Sequence, residues 1–453
     1  MIASGRARLA RSPLLLLLWL PLGGLAQDAV APVDSRSNDP TAGINEDGSI
    51  PRRPMPPGLN APERWRYVPE GRLVEGSILD RFMISTFAIP VFFYQEDLGL
   101  GMGLNLTDIN FLDSRRRQLL NLAATYSTEG QQSYAAFWRW LPRHEEVQGG
   151  GVVFEERSLL AVGGGYKVTL TNRFFGFGPE SDEDDESNYS DERSGLGVTF
   201  SNSFPRGGDP LIYSLAVLGE YRNLGQGHDS DSPSTDDVFP ALFDEADGYA
   251  ILWLKGGLRW DTLDSTANPY RGFALGVDAD FAAAQTHGNS GAIFKVWGSG
   301  ALKVPSPFHD GGSPEEENPP TDTIAVGLFL QTTAGELPFW ALPNLGGANT
   351  LRGYVARRFT DRVAWHAVVE WRFWPIPRGI KFTDSFRIER LGMALFLEAG
   401  SVASRLDTLT LEDLPWSGGV SFRMALERTT LFRVDIGGSP EGAQVTIAYG
   451  LSF

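Results

Sequence analysis

The feature of this sequence that most constrains its fold is a period of two in side-chain polarity, which runs from about residue 81 to residue 453. In the clearest stretch, 362–373, the apolar positions are Val363, Trp365, Ala367, Val369, Trp371 and Phe373. The alternate positions are Arg362, Ala364, His366, Val368, Glu370 and Arg372. Because successive side chains of a β-strand point to opposite faces, this pattern predicts a chain built of strands.

Two kinds of fold contain such strands. In a soluble β-sandwich the apolar face packs on a core, whereas in an outer-membrane barrel it faces lipid and the polar face lines a lumen. Three observations favour the barrel: charged residues and glycines are common on the polar face, no helical region interrupts residues 81–453, and aromatic residues lie near strand ends, at Trp260, Trp371, Trp374 and Tyr449. Since open sheet edges are not stable in lipid, we predict an all-β fold, a closed antiparallel transmembrane β-barrel of about 16 strands.

The strands are placed by their alternation and by the turn residues between them. They are predicted near 82–94, 98–110, 118–129, 131–142, 192–204, 211–222, 249–261, 272–285, 292–304, 322–333, 361–373, 389–402, 416–426, 429–437 and 443–453. At least one more strand is predicted within 147–173. Even strand counts are the rule for bacterial single-chain barrels, which favours sixteen.

The N-terminal residues predict export from the cytoplasm. Residues 1–26 have a positive start, a short apolar run and Ala26 at the expected cleavage site, so we interpret them as a signal peptide. A retained anchor helix is the weaker alternative, because the apolar run is shorter than the roughly 20 residues that span a bilayer. The predicted division is therefore a signal peptide at 1–26, a Pro-rich periplasmic tail at 27–80 and the transmembrane barrel at 81–453.

The predicted tail lacks hydrophobic periodicity, which is typical of flexible or extended segments. Four of its residues are candidates to dock against the barrel's inner wall: Trp65, Tyr67, Leu73 and Val74. The alternative is a plain tail with no such contact.

The connections between strands alternate in length. Those at 178–192, 225–248 and 336–361 are long and polar, whereas 263–271 and 427–429 are short. Long loops outside and short turns in the periplasm are expected of an integral protein in the outer membrane of a Gram-negative bacterium. The long connection at 305–321, on the side predicted to be periplasmic, breaks this rule.

Composition narrows the classes of partner. The formal net charge is -17 and there are no cysteines. The acidic balance argues against a nucleic-acid partner, which needs a basic face, but it is compatible with outer-membrane lipid and lipopolysaccharide.

The acidic run within 180–186 lacks the glycine and spaced ligands of a calcium loop, so we interpret it as a solvated loop; sharing divalent ions with lipopolysaccharide is the alternative.

One arginine in a glycine-rich loop stands out against this pattern. Arg352 and Gly353 lie in residues 343–354, and the two strands that follow carry Glu370 and Glu398 on what should be their inner faces. If the loop folds back into the barrel, Arg352 meets both carboxylates with charge-assisted hydrogen bonds. We call these four residues the luminal latch; the alternatives are a solvated surface arginine and a contact that merely stiffens the fold.

The C-terminus carries a second signal. Val445, Ile447, Tyr449, Leu451 and Phe453 alternate with polar or small residues, and the chain ends on Phe453. A last strand of this kind resembles the signal that outer-membrane assembly machinery reads, so Tyr449, Leu451 and Phe453 are predicted to direct insertion of this chain.

From about residue 80, the chain resembles the barrel of the BamA/TamA outer-membrane assembly superfamily, the bacterial surface antigen family. Residues 346–354 are similar to its Val-Arg-Gly-Phe/Tyr loop, and 257–272 to its Arg-x-Asp…Pro-x-x-Gly turn. Residues 174–178 resemble its Phe-Tyr-Gly-Ile-Gly element, and 396–402 its Phe-x-Asp-Ala-Gly-x-Val strand. The resemblance implies that Arg352 enters the lumen and pairs with Glu370 and Glu398, with Glu398 standing where Asp is usual.

The resemblance to this family does not extend to the residues that precede the barrel. Assembly members of the family carry periplasmic POTRA modules there, whereas this sequence has the Pro-rich segment, so it resembles a barrel-only member. The implied activity is insertion or translocation of proteins or lipids at the outer membrane. The alternative is a passive channel or a structural envelope protein.

No catalytic or cofactor-binding residues are predicted. The histidines are scattered without metal spacing, at His144, His228, His287, His309 and His366. There is no Gly-x-Ser-x-Gly elbow and no phosphate-cradling loop. We therefore predict a protein that is not an enzyme and holds no metal or cofactor.

Overall fold

The computed structural model describes residues 49, 55–68, 86–148, 150–243, 248–266, 268–286, 288–316, 319–383, 386–426 and 430–453. The predicted signal peptide and most of the predicted tail, including Leu73 and Val74, lie outside the described residues.

Sixteen strands form a closed barrel in which each strand is antiparallel to its sequence neighbours. They are β1 (Thr86–Gln95), β2 (Gly99–Asp108), β3 (Gln118–Ser127), β4 (Gln132–Trp140), β5 (Leu159–Phe174), β6 (Ser187–Phe204), β7 (Leu211–Gln226), β8 (Tyr249–Asp261), β9 (Gly272–Gln285), β10 (Gly291–Lys303), β11 (Thr323–Gly335), β12 (Val363–Ile376), β13 (Arg390–Ala403), β14 (Trp416–Leu426), β15 (Thr430–Ser439) and β16 (Gly442–Tyr449). β1 closes against β16. The predicted fold class and the count of sixteen are confirmed.

The alternation in sequence becomes an outer and an inner surface. Apolar side chains on alternate positions are exposed on the outside, among them Val326, Leu328, Val369, Leu397 and Ile436. Their neighbours along the same strands point inward and are buried, among them Ala325, Val368, Glu370, Glu398 and Asp435. An apolar belt around a polar interior is the arrangement that lipid requires of a β-barrel.

The last strand is shorter than predicted. A strand over 443–453 was expected, but β16 ends at Tyr449; the Gly450 amide still donates to the carbonyl of Leu431 at 2.8 Å, and residues 451–453 leave the ladder. Gly450 has φ +75°, a left-handed conformation that breaks an extended backbone. The prediction that Leu451 and Phe453 continue the strand is therefore wrong.

We call the end of the barrel where β16 finishes the C-terminal rim, and the opposite end the loop rim. At the C-terminal rim, the β4–β5 connection forms a small sheet with a segment that precedes the barrel. Trp65–Val68 pairs with Val152–Glu155, which pairs with His144–Glu146. Arg64 donates to the carbonyl of Gly208 at 2.9 Å, which joins this sheet to the β6–β7 turn. Trp65 and Tyr67 thus lie in a strand of this sheet, a different contact from docking on the barrel wall.

At the loop rim, the β7–β8 and β11–β12 connections both contribute to an aromatic cluster. Phe339 and Trp340 from the β11–β12 connection pack on Phe174, Tyr189 and Trp253 of the barrel wall. The Arg222 guanidinium lies 4.0 Å from the centre of the Trp340 ring. Among the residues that the structure describes, no helix is both long and apolar enough to cross a bilayer.

Candidate functional site

The β11–β12 connection brings Arg352 into the barrel, where its side chain is completely buried. Arg352 Nε donates to Glu398 Oε1 at 2.7 Å, and its Nη1 lies 2.8 Å from Glu370 Oε1. The structure therefore brings together the side chains that sequence grouped as the luminal latch. β12 and β13 supply the two carboxylates because both residues occupy inward positions of their strands.

Glu398 binds the backbone of the loop as well as its side chain. The second oxygen, Oε2, accepts from the amide of Arg352 at 2.7 Å and from Ser417 Oγ at 3.0 Å. The Arg352 guanidinium also lies 3.6 Å from the centre of the Phe396 ring, a close cation–π contact. One carboxylate thus holds both the position and the direction of the arginine.

Glu370 accepts three hydrogen bonds and forms an ion pair with Arg352. Its Oε2 receives Arg372 Nε and Arg423 Nη2, each at 2.7 Å. Its Oε1 lies 2.8 Å from Arg352 Nη1 and accepts from Ser452 Oγ at 3.1 Å. A buried carboxylate with this many donors is a structural junction between the loop, the barrel wall and the C-terminus.

The loop fits only because glycines allow close backbone contact. A Cβ on Gly437 would lie 2.5 Å from the carbonyl oxygen of Arg352, and one on Gly353 would lie 2.6 Å from the backbone of Gly438. Leu351 has φ +44°, which costs energy for a residue with a side chain and persists only where the surroundings hold it. The local backbone is thus adapted to placing Arg352.

Charged residues from two later strands complete the site. Arg433 on β15 donates to the carbonyl of Ala348 and to Asn349 Oδ1, both at 2.8 Å, and it also pairs with Asp435. Asp435 Oδ1 lies 3.8 Å from Arg352 Nη1. We call the following residues the charge cluster: Arg352, Glu370, Arg372, Glu398, Arg423, Arg433 and Asp435.

The charge cluster is buried. Each of its side chains is at most 4% exposed, and it holds four arginines and three carboxylates. Removing one partner of a buried ion pair costs about 3–5 kcal/mol, because it leaves the other charge without compensation. The cluster therefore fixes the loop in one place.

Sequence reasoning did not assign four members of the cluster: Arg372, Arg423, Arg433 and Asp435. Arg433 and Asp435 stand on the polar side of a clearly alternating strand, which is the signal that could have pointed to them. His366 lies beside the latch, where its Nε2 accepts from the amide of Leu351 at 3.5 Å. It belongs to the same network.

The turn motif at 257–272 has a structural role in this chain. Asp261 pairs with Arg157 of the β4–β5 connection at 3.0 Å. Asp264 Oδ1 accepts from the amides of Tyr270 and Arg271 at 3.0 and 3.3 Å. Burial raises the pKa of the Asp264 carboxyl, although these amides oppose that shift.

The acidic run within 180–186, at the loop rim, contacts the β11–β12 connection, which also carries Arg352. Arg358 Nε donates to Glu441 Oε2 at 2.8 Å, and its Nη2 donates to the carbonyl of Ser181 at 2.7 Å. Burial raises the pKa of Glu441 even though Arg358 favours its charged form. Within the described parts of the chain, no three His, Asp or Glu side chains are grouped so that they could hold a metal ion; His287 lies outside those parts.

The predicted C-terminal signal residues lie in two places. The Tyr449 hydroxyl contacts β1, where it donates to the carbonyl of Pro90 at 3.0 Å and accepts from the amide of Phe92 at 3.1 Å. Leu451 packs on the inner side against Trp374, and Phe453 lies inside the lumen.

Comparisons with known proteins agree with the barrel fold. Residues 115–437 match the model of the Omp85 superfamily domain, which covers more than half of the chain. Among solved structures, BamA from Haemophilus ducreyi lacking POTRA domains 1–3 is 13% identical with a TM-score of 0.50, over 81% of this chain and 70% of that one. CdiB from Escherichia coli is 11% identical with a TM-score of 0.51, over 81% of this chain and 62% of that one, so this chain spans less than two thirds of CdiB. At these sequence identities, the solved structures show a likeness of fold alone. A separate search of curated proteins found no match.

Proposed function

The chain belongs to the Omp85 superfamily, and from that premise we propose that it assists insertion or translocation of proteins or lipids at the outer membrane. It is an outer-membrane β-barrel protein similar in fold to BamA and CdiB. Members of the superfamily insert or transport other molecules and are not enzymes, so we propose no catalytic role.

The observation that carries this proposal is the seam between β1 and β16. The two strands are in register at one position, Tyr94 with Ile447. By contrast, β15 and β16 are in register at eight positions, and β6 and β7 at sixteen. One edge of β1 pairs with β2 along its whole length, but on the opposite edge the backbone groups between Thr86 and Val91 meet no partner strand, and such an edge can pair with another extended chain.

The charge cluster supports opening at this place. It joins β12, β13, β14 and β15 through the loop that carries Arg352, so the wall beside the seam is held rigid. β16 is the next strand after this wall, and it is held to β1 mainly by the Tyr449 hydroxyl. Separation of β1 from β16 would break few hydrogen bonds and leave the latch intact.

The proposed orientation follows from the connections. We place the loop rim outside the cell, with its acidic loops near lipopolysaccharide, and the C-terminal rim in the periplasm. Residues 27–80 would then be a periplasmic tail that follows a signal peptide at 1–26. The chain's own insertion would depend on the outer-membrane assembly machinery, through Tyr449, Leu451 and Phe453.

The experiment that tests the function is depletion of the protein, scored by the outer-membrane protein content of the cell. We expect the content of one or more outer-membrane proteins or lipids to fall. Rescue with Tyr94→Cys/Ile447→Cys should fail under oxidising conditions and recover with reductant, since the disulfide closes the seam. The chain has no other cysteine.

The matched control is Val217→Cys/Leu254→Cys. This pair is in register between β7 and β8, and both side chains face outward on a long seam. Its disulfide should leave rescue unchanged. An unaltered outer membrane after depletion would overturn the proposal, and rescue by the oxidised seam variant would overturn opening at β1–β16.

A passive channel is a second candidate, favoured by one part of the lumen. Lys255 and Asp280 form an ion pair at 2.6 Å on the inner wall of β8 and β9, and their side chains remain 26% and 28% exposed. The side chains of this wall are therefore more accessible to solvent than those of the charge cluster. The aromatic cluster with Phe339 and Trp340 covers it at the loop rim. Steady conductance in liposomes, raised by Trp340→Ala and unaffected by the seam disulfide, would favour the channel.

A further inference from the structure

A cavity at the C-terminal rim lies between the small sheet and the barrel wall. Among the residues that the structure describes, its charged lining consists of four arginines and one carboxylate: Arg66, Arg116, Arg117, Arg139 and Glu156. The chain as a whole has the opposite balance, with 56 acidic and 39 basic residues. A cavity lined mainly by cations in an acidic chain is a candidate site for an anion.

The four arginines come from three separate elements. Arg66 lies in the strand of the small sheet that precedes the barrel, and Arg139 lies at an inward position of β4. Arg116 and Arg117 end the β2–β3 connection. Only folding therefore brings these like charges to one cavity, and an anion placed between them would offset their mutual repulsion.

The partners of Arg117 leave its charge without a counterion. Its Nε donates to the carbonyl of Ser114 at 2.8 Å, and its Nη1 donates to His144 Nε2 at 2.9 Å. His144 is neutral in this arrangement, because its Nδ1 donates to the carbonyl of Leu141 at 3.2 Å while Nε2 accepts. Within the described parts of the chain, Arg117 has no carboxylate partner, whereas Arg66 pairs with Glu156 at 3.2 Å.

The cationic lining extends from buried to accessible positions. Arg116 and Arg139 are 8% and 9% exposed. The side chains of Arg66 and Glu156 are 23% and 17% exposed. Apolar side chains such as Phe154 complete the wall. Because apolar walls limit screening by water, they strengthen the attraction of the arginines for an anion.

The β2–β3 connection is held in a strained conformation that fixes its arginines. Four of its residues have φ between +53° and +64° although none is a glycine: Leu112, Asp113, Arg115 and Arg116. Backbone strain of this kind persists only where the surroundings impose it. Here Asn110 Oδ1 accepts from the amide of Arg116 at 3.0 Å, and Ser114 Oγ accepts from the amide of Gln118 at 2.9 Å.

We propose that this cavity binds a phosphate group between Arg66, Arg116, Arg117 and Arg139. Phosphate fits the lining because its oxygens accept from several guanidinium groups at once, each in a planar fork. The cavity is narrow, about 30 Å³, so the phosphate lies at its mouth beside Arg66 and Arg117 and a bulky ligand is excluded from the interior.

Two sources of this group are available to an outer-membrane protein, namely a phospholipid headgroup and a free phosphate ion. Whichever is bound, Arg66 belongs to the segment before β1, whereas Arg139 belongs to the barrel wall. The bound phosphate therefore ties the small sheet to the barrel. This inference goes beyond the proposed function and needs no client.

The test is calorimetric titration of the detergent-solubilised full chain at low salt, where screening is weak. The probes are inorganic phosphate and a short-chain phosphatidylglycerol, each with acetate as a competitor. Saturable binding of the lipid alone would assign the site to headgroups, and binding of inorganic phosphate alone would assign it to the free ion; either result, or both together, supports the proposal. No saturable binding of either probe, or equally tight binding of acetate, would overturn it.

Two substitutions should change the affinity in opposite directions. Arg117→Gln removes one charged donor and should weaken phosphate binding about tenfold. Glu156→Gln removes the one carboxylate of the lining and should tighten binding about threefold. The control is Arg206→Gln, in the β6–β7 turn at the same rim, where the side chain is 73% exposed; its affinity should equal that of the parent.

Heat-dependent migration in gels would report that each variant is folded. Equal affinity of folded Arg117→Gln and the parent would overturn the proposal. If Arg117→Gln does not fold, Glu156→Gln decides, and a failure to bind more tightly than the parent would overturn it. Because the readout is phosphate binding, its failure would leave the function proposed above standing, and a cell that loses nothing on depletion would leave the phosphate site standing.

Discussion

At the scale of residues, Arg352 joins the loop to several strands of the barrel interior. It contacts Glu370, Glu398, Asp435 and the Phe396 ring, and its own amide is held by Glu398. An arginine can make these contacts together because its planar guanidinium presents several donors in fixed directions. Exposed ion pairs on the same chain, such as Arg405 with Asp407, contribute little because water competes for both partners.

The first prediction concerns the latch arginine. Arg352→Ala should lower the free energy of unfolding by about 3–5 kcal/mol, since it leaves buried carboxylates without a cation. Arg352→Lys should be intermediate, because it keeps the charge and loses the fork. The measurement is the temperature at which the detergent-solubilised barrel loses its folded gel mobility. Arg405→Ala is the matched control, and an Arg352→Ala barrel as stable as the control would contradict a latch.

A second prediction compares two adjacent glycines. A Cβ at Gly437 would lie 2.5 Å from the carbonyl oxygen of Arg352, whereas one at Gly438 would meet nothing closer than 3.8 Å. Gly437→Ala should therefore destabilise the barrel by about 1–3 kcal/mol through overpacking, and Gly438→Ala should have little effect. The same thermal assay measures both. Equal effects would mean that the loop is not seated against β15.

At the scale of elements, the described segment before β1 and the residues after β16 both lie at the C-terminal rim, and they contact different walls of the barrel. Trp65–Val68 adds a strand to the β4–β5 connection, where Val152 and Val153 are completely buried. The C-terminal residues cross toward β11 and β12. Neither segment belongs to a strand of the barrel. A movement of either segment would therefore leave the hydrogen bonds between strands β1 to β16 within the barrel wall unbroken.

The third prediction concerns the added strand. The Trp65 ring contacts Gly207 and Gly208, and its Nε1 donates to the carbonyl of Asn60 at 2.9 Å. Trp65→Ala should destabilise the small sheet by about 2 kcal/mol through lost packing, and so speed limited proteolysis within 141–158. Tyr67→Phe, which removes a hydroxyl that donates to Gly150 at 3.2 Å, should change the rate far less. Equal proteolysis of both variants and the parent would mean that the strand is not docked.

At the scale of the whole molecule, an apolar exterior and a charged interior reverse the order found in soluble proteins. Large apolar side chains on many strands are about half exposed, such as Leu215, Leu275, Val296 and Leu328. The largest fully buried side chains include Arg352 and Arg433. Such a surface is stable against lipid and not against water.

The fourth prediction follows from this reversal. When the chain lacking residues 1–26 is moved from detergent into plain buffer, it should aggregate. Without detergent, the apolar belt on the outside of the barrel can be removed from water only by contact with other copies of the chain. Light scattering and size-exclusion chromatography measure this, with the detergent sample as the control. A folded monomer in plain buffer would contradict the membrane interpretation.

Much of the interior could be predicted from sequence because a period of two fixes which face each strand residue takes. Glu370 and Glu398 were assigned to the inside on this ground alone. The same parity places Arg423 and Arg433 inside, but it does not say how high along the barrel they lie. Whether Arg423 and Arg433 come close to Arg352 depends on the stagger between neighbouring strands. That stagger cannot be predicted from the sequence of one strand.

By itself, the sequence determined the strand faces, the closed membrane barrel and the arginine most suited to its interior, because these follow from alternation and from the cost of open edges in lipid. Only the tertiary structure decided the path of the loop, the membership of the charge cluster and the fate of the C-terminus. Alternation predicted that Leu451 and Phe453 continue β16. The turn at Gly450 and the contacts of Phe453 with Gly327 and Arg372 outweighed that local preference, and such contacts exist only once distant strands have met.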